Sequence, residues 1–165
     1  MSRPCWIMKT EPDVFSFDDL MSRPNRTEPW DGIRNYQARN FMRDDMQIGD
    51  LVVIYHSNTA PPHAAGVARV ASEARPDPTA LDPSEPYFDP KSDPDNPRWM
   101  LVEIQGVRAF ETPVPLADLK ANAALADMRL VARGNRLSIM PCERAEFEEV
   151  LRMGGLDPGE FGASG

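Results

Sequence analysis

Cysteine is nearly absent from this chain: of 165 residues only Cys5 and Cys142 carry a thiol, one near each end. Two thiols without neighbouring ligands give neither a disulfide framework nor a zinc site, and a reducing compartment is the simplest setting for them. Histidine is as scarce, with His56 and His63 alone, and no thiol or carboxylate stands at a metal-ligand spacing from either. Neither a metal nor a cofactor is expected. Both common Gly-rich phosphate loops and the Gly-x-Ser-x-Gly elbow are missing, which removes the usual signs of nucleotide cofactors and of serine hydrolases. The longest apolar run, Leu51 to Tyr55, is far too short for a bilayer, and the start of the chain lacks the apolar stretch of a signal peptide. The expectation is a soluble cytoplasmic protein with no membrane partner. Basic charge is short too: 18 Lys and Arg stand against 26 Asp and Glu, for a net charge of −8. A protein that grips long duplexes by their phosphates needs a basic face, so any nucleic-acid contact here is local.

An apolar fraction of 41% is that of an ordinary globular chain. One domain is expected over residues 3–154, with an unstructured tail over 155–165. Cys5 to Thr10 reads as a first strand. Ser16 caps a short helix with Asp18 and Asp19 in its first turn, and Asn35 caps a longer one reaching about Met46. Leu51 to His56 reads as a buried strand, and Gly66 to Val70 as another. Pro76 to Pro97 holds seven of the 17 prolines, which rules out helix and central strand, and is read as an extended loop closing over something. A strand from Met100, a short helix opened by Pro115, a strand over Leu137 to Met140 and a helix from Cys142 to Met153 complete the order. Strands separated by helices and long loops, without regular alternation, point to an α+β fold built on a small mixed barrel.

Side chains suited to reading a base concentrate in Lys9-Thr10-Glu11, in Trp30 to Arg39 and in His56-Ser57-Asn58. A base held out of its stack needs a flat aromatic for its face and mixed donors and acceptors for its edge. Trp30 and Tyr36 are candidates for stacking, Glu11, Asn35, Gln37 and Ser57 for the edge, and Lys9, Arg34 and Arg39 for phosphate. Core filling is the competing reading of Trp30, and a solvated helix face that of Arg34 and Arg39. An enzyme using His56 or Glu11 as acid or base, and a protein-interaction module using the proline-rich loop, are the rival functions.

Beyond these residue types, the ordered segments Trp6-Ile7-Met8-Lys9-Thr10-Glu11-Pro12, Trp30-Asp31-Gly32-Ile33-Arg34-Asn35-Tyr36-Gln37-Ala38-Arg39-Asn40-Phe41, Gly49-Asp50-Leu51-Val52, Tyr55-His56-Ser57-Asn58, Asp89-Pro90-Lys91-Ser92, Asn96-Pro97-Arg98-Trp99 and Arg136-Leu137-Ser138 resemble the EVE domain family. The resemblance implies a PUA-like mixed β-barrel, or pseudobarrel, flanked by short helices. It also implies a non-catalytic pocket for a single, modified nucleobase of DNA or RNA. Carried to this sequence, the pocket comprises Lys9, Thr10, Glu11, Trp30, Arg34, Asn35, Tyr36, His56, Ser57, Trp99 and Ser138. Arg39 joins them as a nucleic-acid contact on the residue argument above. Thr10 stands where many relatives have serine and Ile33 where valine is frequent; neither removes the pocket.

Overall fold

The structure, a computed structural model, describes residues 4–161 of the chain. In order come β1 (Cys5–Thr10), α1 (Phe17–Ser22), β2 (Thr27–Pro29), α2 (Tyr36–Asn40), β3 (Leu51–His56), β4 (His63–Val70), β5 (Arg75–Pro76), β6 (Met100–Leu101), β7 (Glu103–Pro115), α3 (Leu116–Ala121), β8 (Ile139–Cys142) and α4 (Arg144–Met153). Six strands form one curled sheet in the order β2-β7-β4-β3-β1-β8, while β5 and β6 pair as a separate ribbon. Within the large sheet β1 and β3 are parallel and the remaining pairs antiparallel. Register shifts on both sides of β4, opposite Ile54 and Tyr55 of β3 and along β7, bend the strands and curl the sheet. The curl stops short of closure, leaving β2 and β8 as edges, so the expected mixed barrel is an open half-barrel.

Strand alternation explains why both faces are covered. Along β1, Cys5 and Ile7 enter one core with Val53 and Tyr55 of β3, and there they meet Phe147, Val150 and Leu151 of α4. Trp6 and Met8 point to the opposite core with Val52, Ile54, Phe17 and Leu20. The Trp6 indole N–H donates to buried Asp50 across 3.0 Å, which satisfies both groups away from water. Helix α1 lies close on the sheet because Gly66 has no side chain: a Cβ there would stand 2.3 Å from the Phe17 ring.

Several boundaries differ from the sequence reading. The Asn35-capped helix has only 5 regular residues before a wide π turn over Phe41–Asp45. The strand from Met100 is broken at Val102 and then runs for 13 residues, ending where Pro115 becomes the cap of α3 rather than its first residue. Strand β2 was hidden in a polar loop, since its pairing with β7 is long-range and Thr27-Glu28-Pro29 has no apolar alternation. The expected unstructured tail is corrected at its start: Leu156 is buried in the α4 core, and Phe161 packs against it. Residues 162–165 lie outside the described residues, as does residue 3. Cys5 and Cys142, remote in sequence, face each other across β1 and β8 as buried free thiols.

Candidate nucleic-acid interface

The C-terminal end of β1 gathers the first group of candidate residues. The Lys9 amide donates to the Ser138 carbonyl at 2.8 Å and the Ser57 amide to the Thr10 carbonyl at 3.0 Å, so three separate segments meet there. Thr10 Oγ1 donates to the Phe15 carbonyl at 2.6 Å, which folds the Glu11–Phe15 turn back on the strand. Asn58, held in the left-handed region at φ 53, donates its amide to Glu11 Oε1 at 3.1 Å. Among the described residues the Lys9 ammonium and the Ser57 hydroxyl make no side-chain hydrogen bond, and burial pushes the Lys9 ammonium below its ordinary pKa.

His56 stands behind this group with both ring nitrogens engaged. Its Nε2 accepts the Phe17 amide at 3.0 Å, which leaves the ring proton on Nδ1, 3.0 Å from His63 Nε2. His63 in turn donates from Nδ1 to the Pro61 carbonyl at 2.8 Å. Burial, and then the neighbouring His63, push His56 below its ordinary pKa. Reading a base, or acting as an acid or base, would require His56 to give up one of these two bonds. His56 instead fastens α1 to the sheet.

Trp30 is only 7% exposed and belongs to the core under α1 and α2, with its ring edge-on to Phe15 at 5.9 Å and 82°. Its core-filling reading is therefore the one the packing supports. Little of the ring is open to a base, and its edge-on contact with Phe15 ties it to the turn that follows β1.

A second group surrounds Trp99. Tyr36, half exposed, stacks on the buried Trp99 ring at 4.8 Å and 23°, and the Arg39 guanidinium lies 4.8 Å from the Tyr36 ring centre. The Trp99 indole N–H is spent on Asp89 at 2.6 Å. That bond, with the Lys91 amide, holds the Asp89 carboxyl below the usual range. Arg34 donates to Asp77 at 3.0 Å, to Thr79 at 3.2 Å and to the Tyr87 carbonyl at 2.7 Å. Burial alone would raise the pKa of Asp77, but hydrogen bonds from Thr79, the Gly32 amide and Arg34 outweigh it and hold the carboxyl down. Gly32, at φ +77, lets Tyr87 sit where a Cβ would be 2.7 Å away. The proline-rich loop thus closes over Gly32 and Arg34, and Arg34 clamps it with donors that are all used inside the protein. Asn35 caps α2 by accepting the Ala38 amide at 2.9 Å, which leaves its own amide N–H groups to donate.

The twelve sequence candidates therefore form two groups. Lys9, Thr10, Glu11, Ser57 and Ser138 meet at the β1 end, backed by His56, while Arg34, Asn35, Tyr36, Arg39 and Trp99 belong to the loop side. Among the described residues no hydrogen bond or ring contact joins the two groups directly; Trp30 lies in the core between their segments. Sequence reasoning missed Phe15, Asp77, Tyr87 and Asp89. Asp77 carried a signal, since Asp-Pro-Thr is a local turn in which the carboxylate accepts the Thr79 amide. Tyr87 and Phe15 carried none, because their partners are distant in sequence. Among the described residues no three His, Cys, Asp or Glu side chains converge as a metal site would need, and no helix is long and apolar enough to cross a membrane.

A curled mixed sheet with short helices on both faces is the architecture of EVE and PUA-like domains. Residues 4–153 match the EVE domain, and the chain belongs to that family. It is similar to thymocyte nuclear protein 1 of Homo sapiens, 40% identical over 170 residues that span 93% of this chain and 75% of that protein. The Danio rerio protein of the same name is 41% identical over 170 residues, 93% of this chain and 73% of its own length. Among solved structures, a hypothetical protein from Leishmania major superposes with a TM-score of 0.86 at 42% identity, covering 93% of this chain and 95% of that one. Human THYN1 protein in complex with 5-methylcytosine-containing DNA superposes equally well, with a TM-score of 0.86 at 40% identity over 94% of this chain and 99% of that one.

Proposed function

We propose that this chain is a binding module for DNA carrying a modified cytosine, and that one base, turned out of its stack, enters at the β1 end. The observation that carries this reading is the human relative solved with 5-methylcytosine-containing DNA, 40% identical over 94% of this chain. The polar groups at the β1 end support it chemically. A cytosine edge offers an amino donor at N4 and acceptors at N3 and O2. Glu11 keeps a carboxylate oxygen beyond the one bonded to Asn58 and accepts from N4. Lys9 and Ser57 donate to the acceptor side, and Thr10 and Ser138 frame the opening. No covalent step belongs to this reading. His56 is locked between Phe17 and His63, and burial raises the Cys5 thiol to about 11.

The test is a binding titration with short oligonucleotides that differ only in one base. Glu11→Ala should lose about tenfold in affinity for the modified cytosine, near the low end of one base-edge contact. Its affinity for a thymine control should not change. Equal losses for both bases would remove Glu11 from base reading. Conversion of the oligonucleotide during incubation, followed by mass spectrometry, would replace a binding module with an enzyme.

A further inference from the structure

Beside the stacked Tyr36 and Trp99 rings, α2 and the proline-rich loop enclose an open cleft of about 460 Å³ that no step above uses. Its lining brings Arg39, Arg43, Lys91 and Arg98 together against the single carboxylate of Asp93. In a chain of net charge −8 this is an exception. The four cations differ in how far they are neutralised. Arg43 is bonded to Asp44 at 2.8 Å, with both side chains about half exposed, a pair that contributes little in water and opens readily. Arg98 stands 3.6 Å from Asp89. Arg39 meets only neutral acceptors in its hydrogen bonds, the Arg98 carbonyl at 3.0 Å and the Asn40 side chain at 2.8 Å. The Lys91 ammonium is exposed and has no ion pair among the described residues. The cleft therefore combines a pre-positioned guanidinium, stacked on the rings beneath it, with exposed Lys91 and with Arg43, whose exposed pair with Asp44 an anion can compete for.

We infer that this cleft is a phosphate-binding subsite, which holds a backbone phosphodiester of the same strand whose base enters at the β1 end. The inference rests on the DNA-binding reading above. It differs from the sequence expectation, which gave phosphate contact to Arg34, Lys9 and Arg39. Arg34 is spent on Asp77 and Tyr87, so the contact moves to Arg43 and Lys91 around Arg39. Continuity of the chain connects the two places. Trp30 packs on Phe15, whose carbonyl holds Thr10, and the segment from Trp30 leads directly into Asn35 and α2. Phosphate contacts of this kind fix register and carry no sequence information.

The test uses the full chain and a single strand of about a dozen nucleotides with one 5-methylcytosine, titrated at several salt concentrations. The double variant Arg43→Ala/Lys91→Ala removes exposed side chains only. It should bind methylated and unmethylated strands about tenfold more weakly, by the same factor. Its slope of log affinity against log salt should be shallower by about 0.7, the value for one phosphate contact on a single strand. An oligonucleotide with uncharged methylphosphonates flanking the modified base should show the same loss with the wild-type protein, and no further loss with the variant. Selective binding by the wild type with an unchanged slope in the variant, or additive losses, overturns the subsite and leaves the base-binding reading standing. No binding of any strand by the wild type overturns both.

Discussion

At the scale of single residues, His56 and Trp30 are the side chains whose roles change most once the fold is known. A neutral His56 is required by the Phe17 amide at its Nε2, and its pKa lies below 6.5 in the folded chain. Above about pH 6.5 the folded and unfolded chains both carry it neutral. As pH falls through that value the unfolded chain takes up a proton and the folded chain does not, so stability is lost on acidification. Urea unfolding between pH 7 and pH 5 should show wild-type stability falling, while a His56→Gln variant, less stable throughout, shows a flatter profile in the same window. A steeper profile in the variant would contradict the locked neutral ring. Trp30 is buried against Phe15, so Trp30→Ala should cost about 3 to 5 kcal/mol of stability through the cavity it leaves. Trp30→Phe should cost less. Denaturant titration of both variants checks this, and an unchanged midpoint for Trp30→Ala would restore the stacking role.

Among the elements, α1 and the proline-rich loop position the two polar groups, each by a close approach that sequence pattern does not display. Helix α1 reaches His56 because Gly66 leaves room for Phe17. Gly66→Ala should destabilise by about 1 to 3 kcal/mol as Phe17 is pushed away. The nearby His56 ring signals should shift in a nuclear magnetic resonance spectrum, and an unperturbed spectrum would mean the helix is not seated there. The loop depends on Arg34 meeting buried Asp77, whose side chain is 0% exposed. Arg34→Ala leaves that carboxylate with the Thr79 and Gly32 bonds only. Hydrogen exchange should accelerate in residues 77–99 far more than in β3 and β4; uniform protection would show that the clamp is dispensable.

These two elements also show what could be read beforehand. Local grammar was legible: Cys5 to Thr10 is the first strand as read, Ser16 caps α1 through the Asp19 amide, and Asn35 caps α2. Proline density alone identified the loop. Long-range pairing was not legible, which is why β2, the 13-residue β7 and the meeting of Cys5 with Cys142 had no signal. The ordered motifs did bring out the family, and the residue types named the polar clusters. They could not show which of these residues also hold the fold together, as the contacts of Trp30 with Phe15, Arg34 with Asp77 and His56 with Phe17 do.

At the scale of the whole molecule, a net charge of −8 set against a small cationic cleft fits the proposed function, in which one base supplies most of the affinity for DNA. The wild-type salt slope for a single strand should therefore be shallow, roughly −1.5 to −2 for two or three phosphates. The most direct test of the account is a competition between two otherwise identical DNA strands, one with a single 5-methylcytosine and one with cytosine. Burying the extra methyl group is worth about 0.8 kcal/mol, so the methylated strand should bind about fourfold more tightly or better. The preference should survive Arg43→Ala/Lys91→Ala. Equal affinities for the two strands at every salt concentration would contradict the account.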